Sequence, residues 1–104
     1  MTASYVCVWE FTIDDTARGA FERHYGPRGS WAALFGRAAG FAGTQLLRDE
    51  AAPGRYLTVD RWRSEAAYRA FRTDFAAEYA ALDRECEALT RDERALGSFT
   101  EVPS

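Results

Sequence analysis

The sequence predicts an α+β fold of the ferredoxin-like βαββαβ type, in which helices cover one face of a four-stranded antiparallel sheet. Three observations lead to this prediction. Residues 5–12 form an apolar strand pattern, two further strand patterns flank Pro53-Gly54, and apolar residues recur every three or four positions over residues 68–89. We expect a single domain over residues 1–104, because 47% hydrophobic residues suffice for one core at this length.

The first predicted strand, Tyr5 to Thr12, is apolar on both faces. Val6 and Val8 point to one face, which Glu10 alone interrupts. A strand with one wet face would alternate apolar and polar residues, so we expect this strand to be covered on both sides. The second face carries three rings and a thiol: Tyr5, Cys7, Trp9 and Phe11.

Two helices are predicted after the first strand. Asp14 and Asp15 suit the N-cap of the first helix, and Gly26-Pro27 ends it. Ser30 suits the N-cap of a short helix over residues 31–37. The apolar stripe of the first helix consists of four residues at helical spacing: Ala17, Phe21, His24 and Tyr25.

The Pro-Gly turn predicts a hairpin of two strands, residues 41–49 and 55–62. Because successive side chains of a strand point to opposite faces, Leu57, Val59 and Arg61 share one face. The other face carries the residues that alternate with them: Tyr56, Thr58, Asp60 and Trp62.

The longest predicted helix begins after Ser64, an N-cap residue. Thr90 and Glu93 repeat the capping-box spacing, which predicts a short further helical turn ended by Gly97, and then a last strand over residues 98–102. The long helix carries one continuous apolar stripe: Tyr68, Phe71, Phe75, Tyr79, Leu82, Cys86 and Leu89.

The sheet face opposite the helices carries four apolar side chains, from Val6, Val8, Leu57 and Val59. An exposed apolar face of that size usually marks an interface. For one type of chain the closed solution is a twofold pair. We therefore expect a homodimer that forms through the sheet face.

Composition excludes several functional classes. The net charge is −3, and all thirteen basic residues are Arg spread among acidic ones, so we expect no nucleic-acid partner. Neither a secretory leader pattern nor an apolar run of membrane-spanning length is present, so we expect a cytoplasmic protein without a membrane partner. Cys7 and Cys86 lack CxxC spacing and the chain has one His, which predicts buried thiols and no metal site.

Nearly the whole chain resembles the antibiotic biosynthesis monooxygenase-like proteins of the dimeric α+β barrel superfamily. The resemblance rests on Gly40-Phe41, on the segment 56–68 with its W-x-S-x-x-x-[YF] pattern, and on Gly97-Ser98-Phe99. It implies a dimeric α+β barrel. Proteins of this kind include cofactor-free monooxygenases that oxidise anthrone-like polyketides to quinones, related cyclases, and haem-degrading enzymes.

The resemblance to the anthrone-oxidising enzymes assigns candidate catalytic residues. In those enzymes an Asn and a Trp near the end of the third strand and a Tyr early in the next helix are implicated. Trp62 and Tyr68 stand at the Trp and Tyr positions, whereas Thr58 stands at the Asn position and offers one hydroxyl in place of an amide. Haem-degrading relatives use an axial His in the long helix, which is absent here, so we do not expect haem degradation.

A cofactor-free oxygenase needs an apolar pocket, a base that deprotonates the substrate, and donors for the developing oxyanion. His24 is a candidate base by residue type, or alternatively a hydrogen-bonded residue at the edge of the core. Asp60, on the strand face beneath the helices, is the second candidate base, or alternatively the partner of a nearby Arg. Either residue could take the role, and the sequence leaves the choice open.

The density of rings predicts an aromatic ligand, although the same rings would also suit a core. The resemblance, taken together with these rings and the candidate catalytic residues, implies a cofactor-independent monooxygenase that oxidises a quinol- or anthrone-like small aromatic molecule with O2. A non-catalytic small-molecule-binding dimer and a polyketide cyclase or isomerase stay open as alternatives. The substrate pocket is expected to be lined by five aromatic residues: Trp31, Phe35, Phe71, Phe75 and Tyr79.

Overall fold

Strand β1 (Tyr5–Thr12) lies inside a four-stranded antiparallel sheet. It pairs with β3 (Arg55–Trp62) on one side and with β4 (Asp92–Thr100) on the other, and β2 (Phe41–Arg48) pairs with the far edge of β3. The computed structural model describes residues 4–103. The strand order β2-β3-β1-β4 confirms the ferredoxin-like pattern that the order of elements predicted.

The helices pack on one face of this sheet, which we call the helix face; the opposite face is the open face. Short 3-10 turns precede the first helix and follow the last, at Asp15–Ala17 and Glu87–Leu89. Within the part of the chain that the structure describes, no helix is long and apolar enough to span a membrane. Residues 4–103 form four α-helices: α1 (Arg18–Tyr25), α2 (Ser30–Phe35), α3 (Glu65–Asp74) and α4 (Ala76–Cys86).

The first two helices begin differently from the prediction. Asp14 and Asp15 do not cap α1, because the 3-10 turn intervenes and the residue before α1 is Ala17. Ser30 is the first residue of α2 and not its N-cap, a position that Gly29 takes. The Ser30 hydroxyl is instead hydrogen-bonded to a side chain of α1, so a tertiary contact replaces the predicted cap.

The long helix predicted to follow Ser64 begins as expected but bends at Phe75. The Ser64 hydroxyl accepts a hydrogen bond from the backbone N–H of Ala67 at 3.1 Å, which caps α3. At Phe75 the backbone leaves helical geometry, with φ −116° and ψ 26°, and separates α3 from α4. Residues 73–74 are Thr and Asp, whose low helix propensity favours a bend here. Hydrogen bonds around Phe75 continue across the bend, so the apolar stripe keeps facing the sheet.

The helical turn predicted at residues 90–93 is wrong, because β4 begins at Asp92 and not at Ser98. The backbone N–H of Arg91 donates to the carbonyl of Thr12 at 2.8 Å, and the following residues pair with β1. Pairing with the free edge of β1 thus prevails over the local capping-box pattern. Gly97 does not end a helix; it lies within β4 at φ +146°, beside a bulge.

The core between the sheet and the helices is built mainly from rings. Trp62, Tyr56, Phe21 and Phe71 are almost completely buried. The centroid of the Trp62 ring lies 5.1 Å from that of Phe71 and 5.7 Å from that of Phe35. Burying one such side chain stabilises the fold by about 1.5–3 kcal/mol. This packing fixes the end of β3, where the predicted catalytic residues lie.

On the open face the four predicted residues lie side by side, with Val6 buried and the others half-buried: Val6, Val8, Leu57 and Val59. Leu47 and Phe99 extend the apolar area and are 45% and 51% exposed. At one end, Glu10 forms ion pairs with Arg55 at 2.6 Å and Arg94 at 2.8 Å. The open face therefore has an apolar centre and a charged end.

Candidate functional site

A pocket opens between the helix face of the sheet and the helices. Its volume is about 640 Å³, including the part that is open to solvent. Only about 60 Å³ of this space admits the centre of a water-sized molecule, against about 300–1,000 Å³ for typical ligand pockets, so the pocket is narrow as it stands. Its walls are mostly aromatic, with rings from strands and helices alike: Trp9, Phe11, Tyr25, Trp31, Phe35, Trp62, Tyr68 and Tyr79.

One row of side chains crosses the sheet beneath the pocket and differs from the aromatic rows around it. The row contains one residue from each strand, and we call it the polar row: Thr44, Asp60, Cys7 and Ser98. The Thr44 hydroxyl donates a hydrogen bond to Asp60 Oδ1, and the Ser98 hydroxyl donates to Cys7 Sγ at 3.8 Å. Thr58, in the next row, adds a buried hydroxyl to the pocket.

A β-bulge at the start of β2 brings Thr44 into the polar row. Phe41 pairs with Trp62 and Gly43 pairs with Arg61, so Ala42 is one extra residue in the ladder. Strict alternation from Phe41 would place Thr44 on the open face. Because of the extra residue, Phe41 and Thr44 both lie on the helix face. Gly43 adopts φ +137°, a conformation that side-chain-bearing residues rarely adopt.

Asp60 is the most strongly perturbed acid on the pocket floor. Its side chain is 9% exposed, and burial raises its pKa to about 6, against the opposing effect of the hydrogen bond from Thr44. Thr44 is the one hydrogen-bonding side-chain partner of Asp60 within residues 4–103, and no Arg of that range forms an ion pair with it. Asp60 is therefore mostly ionised at pH 7 and still basic enough to accept a proton.

The thiol of Cys7, next to Asp60 in the polar row, is buried. Burial raises its pKa, the hydrogen bond from Ser98 lowers it, and the charge of Asp60 raises it further. Since only the thiolate is a good nucleophile, this environment keeps Cys7 unreactive.

Tyr68 and Tyr79 form the helical wall of the pocket, and Arg72 links them. An Nη1–H of Arg72 donates to the Tyr68 hydroxyl at 2.9 Å, and the guanidinium carbon lies 4.0 Å from the centroid of the Tyr79 ring. Burial raises the pKa of Tyr79 to about 12, so this hydroxyl keeps its proton. The Tyr68 ring meets the Trp62 ring edge-on at 5.6 Å. Trp62 and Tyr68, the two aromatic residues predicted to be catalytic, therefore lie in contact at the pocket wall.

The other end of the pocket combines acids with rings. Asp83 and Glu93 line it, and burial together with the charge of Asp83 raises the pKa of Glu93. Trp31 also lines this end, and its buried indole N–H has no hydrogen-bond partner among the described residues. Burial likewise raises the pKa of the nearby Tyr25.

Most of the predicted site residues line this pocket. His24 does not: its Nδ1 is hydrogen-bonded to Ser30 Oγ at 2.8 Å, and it is not part of the pocket lining. Phe71 and Phe75 lie behind the lining and stack on each other with centroids 5.5 Å apart. The structure brings together the other seven at the pocket surface: Thr58, Asp60, Trp62, Tyr68, Trp31, Phe35 and Tyr79.

Sequence reasoning did not name Thr44, Asp83 or Glu93 as site residues. The Ala42-Gly43 pair is the signal that could have indicated Thr44, since glycine in a strand often marks a bulge. Glu93 was assigned to a helical turn, which concealed its place on β4 opposite Phe11. Among residues 4–103 no group of three or more His, Cys, Asp or Glu side chains could hold a metal ion.

Comparison with known families agrees with this fold. A family model described as antibiotic biosynthesis monooxygenase matches residues 4–84. No curated protein sequence matches the chain.

Several solved structures are similar over almost the full length. A protein from Bordetella bronchiseptica, described as a proposed antibiotic biosynthesis monooxygenase, is 20% identical at a TM-score of 0.76, covering 97% of this chain and 99% of the other. SnoaB, described as a cofactor-independent oxygenase from Streptomyces nogalater, is 24% identical at 0.66, covering 98% and 96%. A protein from Pseudomonas aeruginosa is 18% identical at 0.69, covering 99% and 98%. At these identities the likeness establishes the fold.

Proposed function

Because the chain belongs to the antibiotic biosynthesis monooxygenase family, we propose that it is a cofactor-independent monooxygenase that oxidises an anthrone- or quinol-like aromatic molecule with O2. One observation carries this proposal: Asp60, buried and without a cationic partner among the described residues, lies on the floor of a ring-lined pocket. The description of SnoaB as a cofactor-independent oxygenase supports the same class of reaction.

The proposed reaction needs no external reductant. For an anthrone, Asp60 removes one proton from the ring methylene, and the resulting carbanion is delocalised onto the carbonyl oxygen. The carbanion transfers one electron to O2, and the two radicals combine to form a C–O bond. Asp60 returns its proton to the peroxide anion, and loss of water from the resulting hydroperoxide leaves a carbonyl, so CH2 and O2 become C=O and H2O. The substrate supplies all the electrons, and the protein supplies the base and a dry pocket.

We assign the base to Asp60 rather than to His24. Asp60 lines the pocket and has a pKa of about 6, close to the pH at which a base must accept and release protons. His24 is hydrogen-bonded to Ser30 outside the pocket lining. The proposal thus takes Asp60 as the base, a choice that the sequence left open.

The remaining predicted residues hold the substrate in this proposal. Trp62 is completely buried and supports the Tyr68 ring by edge-on contact, while the Tyr68 hydroxyl can donate to a substrate oxygen and accepts from Arg72. A cation bonded to that hydroxyl makes it a stronger donor to the enolate oxygen that forms after deprotonation. Thr58 adds a hydroxyl at the floor.

The homodimer is part of the proposal. The apolar centre of the open face, extended by Leu47 and Phe99, is the surface that a second copy would cover. The cytoplasm, where reducing conditions keep Cys7 and Cys86 as free thiols, is the location that fits this protein.

The decisive experiment measures oxygen consumption with an anthrone test compound. The wild-type protein should consume one O2 for each quinone formed, and Asp60→Asn should lower kcat by about 10²–10⁴-fold, the usual loss on removing a general base. Glu50→Gln changes an exposed carboxylate in the β2–β3 loop and serves as the matched control. Fluorescence quenching of the tryptophans reports substrate binding separately.

Each alternative has its own outcome in this assay. Binding without oxygen consumption above buffer would make the protein a binding module and overturn the proposal. A rearranged product formed without O2 uptake would make it a cyclase or isomerase. Loss of activity in His24→Ala with full activity in Asp60→Asn would overturn the assignment of the base.

A further inference from the structure

We propose that Thr44 is a positioning residue for Asp60, and that the glycine bulge of β2 exists in this chain to place the Thr44 hydroxyl on the helix face. This inference rests on the proposed function for its catalytic meaning. Its structural part, the coupling of Gly43, Thr44 and Asp60, stands on geometry alone.

Asp60 needs hydrogen-bond donors from the protein. A buried carboxylate loses its hydration and requires hydrogen-bond donors within the protein. Thr44 gives it one, to Oδ1, and no other side chain of residues 4–103 donates to it. Because Oδ1 is engaged by Thr44, the hydrogen bond fixes the rotation of the carboxyl group. Oδ2 is then left to accept a proton from a molecule in the pocket.

The β-bulge of β2 brings Thr44 opposite Asp60. The two residues are cross-strand partners, and they share the helix face because Ala42 is the extra residue at the bulge. A side chain at position 43 would meet no atom within 4 Å, so steric crowding does not explain why glycine is found there. The requirement comes from the backbone, which at φ +137° excludes most side-chain-bearing residues. Gly43→Ala is therefore a change of backbone preference with no steric contact.

The donor to Asp60 is the neutral hydroxyl of Thr44. A neutral hydroxyl stabilises the ionised carboxylate less than an arginine would, so Asp60 is oriented without losing its basicity. Removing the hydroxyl should disfavour the ionised form and raise the pKa of Asp60. Thr44→Val removes the hydroxyl with little change of shape, and Thr44→Ser keeps the hydroxyl while losing a methyl group.

The test follows the Asp60 carboxyl directly. Carbon-13 NMR of labelled Asp, with Asp60→Asn to identify the signal, gives its titration in the wild type and in each variant. Thr44→Val should raise the pKa of Asp60 by about one to two pH units, which is the usual effect of losing a hydrogen bond to a charged group. Thr44→Ser should titrate as the wild type does. Gly43→Ala should behave as Thr44→Val, because the slip of register removes Thr44.

Gly19→Ala in α1 is the control, because Gly19 does not have a positive φ and an added Cβ would lie 3.8 Å from the nearest atom, on the Arg23 side chain. This variant should leave the titration of Asp60 unchanged. An unchanged Asp60 titration in Thr44→Val would overturn the coupling, and a wild-type titration in folded Gly43→Ala would overturn the role of the bulge. If the anthrone assay is positive, the acidic limb of the pH–rate profile should move upward in Thr44→Val and not in Thr44→Ser. If the wild type consumes no oxygen, the proposed function fails, while the NMR titrations still confirm or overturn the coupling.

Discussion

Asp60→Asn should make the folded protein gain stability relative to the wild type as the pH rises. The folded-state pKa of Asp60, about 6, exceeds its ordinary value of 3.8 by slightly more than two pH units. Each unit corresponds to 1.36 kcal/mol, so ionising Asp60 in the folded state costs about 3 kcal/mol. The folded state binds the proton more tightly than the unfolded state does. The contribution of protonated Asp60 to the stability of the fold is thus complete below about pH 4 and is lost as the pH rises through about 6.

Asn does not titrate, so the variant lacks this pH dependence. Any fixed effect of the substitution on packing is the same at each pH and cancels in the comparison. At pH 4 the unfolded Asp60 is already partly ionised, which reduces the expected difference between pH 4 and pH 8 to about 2.5 kcal/mol. The free energy of unfolding of Asp60→Asn, relative to that of the wild type, should therefore increase by about 2.5 kcal/mol from pH 4 to pH 8.

Urea denaturation at pH 4, 6 and 8, at one fixed protein concentration, measures this difference. Glu50→Gln, in an exposed loop position, should stay within about 0.5 kcal/mol of the wild type throughout. If the free energies of unfolding of Asp60→Asn and the wild type differ by the same amount at all three pH values, then Asp60 is not a buried acid with a raised pKa. The assignment of the base would then lose its physical basis.

Two further predictions concern assembly and backbone geometry. Light scattering at micromolar concentration should give twice the chain mass of 11.7 kDa. Val59→Arg, which places a charge beside Val8 in the centre of the open face, should give the monomer, and a monomeric wild type would contradict the dimer. Gly97→Ala should lower the free energy of unfolding by about 1–3 kcal/mol in thermal denaturation. The reason is that φ at Gly97 is +146° and that a Cβ there would lie 3.1 Å from the Phe99 ring. An unchanged free energy of unfolding would show that the β4 bulge relaxes freely.

The alternation of β3 shows why much of the site could be predicted from sequence. Thr58, Asp60 and Trp62 share a face because a strand has a period of two, and no tertiary information is needed to say so. The covering helix was equally predictable from the spacing of its apolar residues and from the Ser64 cap. Local rules suffice wherever a regular element extends through the site.

The errors occur where a long-range pairing or a break in the periodicity decides the structure. The residues near Glu93 match a capping box, yet the edge of β1 recruits them as β4, because sheet pairing satisfies more backbone groups than one helical turn would. Thr44 could not be placed by alternation, since the bulge at Gly43 reverses the direction of every later side chain in β2. Both positions contribute to the pocket, so the sequence indicated its rings better than its polar groups.

The environment of Asp60 suggests why a chain with thirteen arginines keeps all of them away from this carboxylate in the described structure. An ion pair with Arg would hold the pKa of Asp60 low, as the pairing with Arg55 does for Glu10 at the charged end of the open face. Such a carboxylate is stable but a poor base. Arg72 lies on the helical wall above, where its guanidinium is engaged by Tyr68 and the Tyr79 ring. Thr44 can therefore orient Asp60 while burial keeps its pKa near neutrality, and the protein retains a less stable carboxylate at the position where the proposed proton transfer needs one.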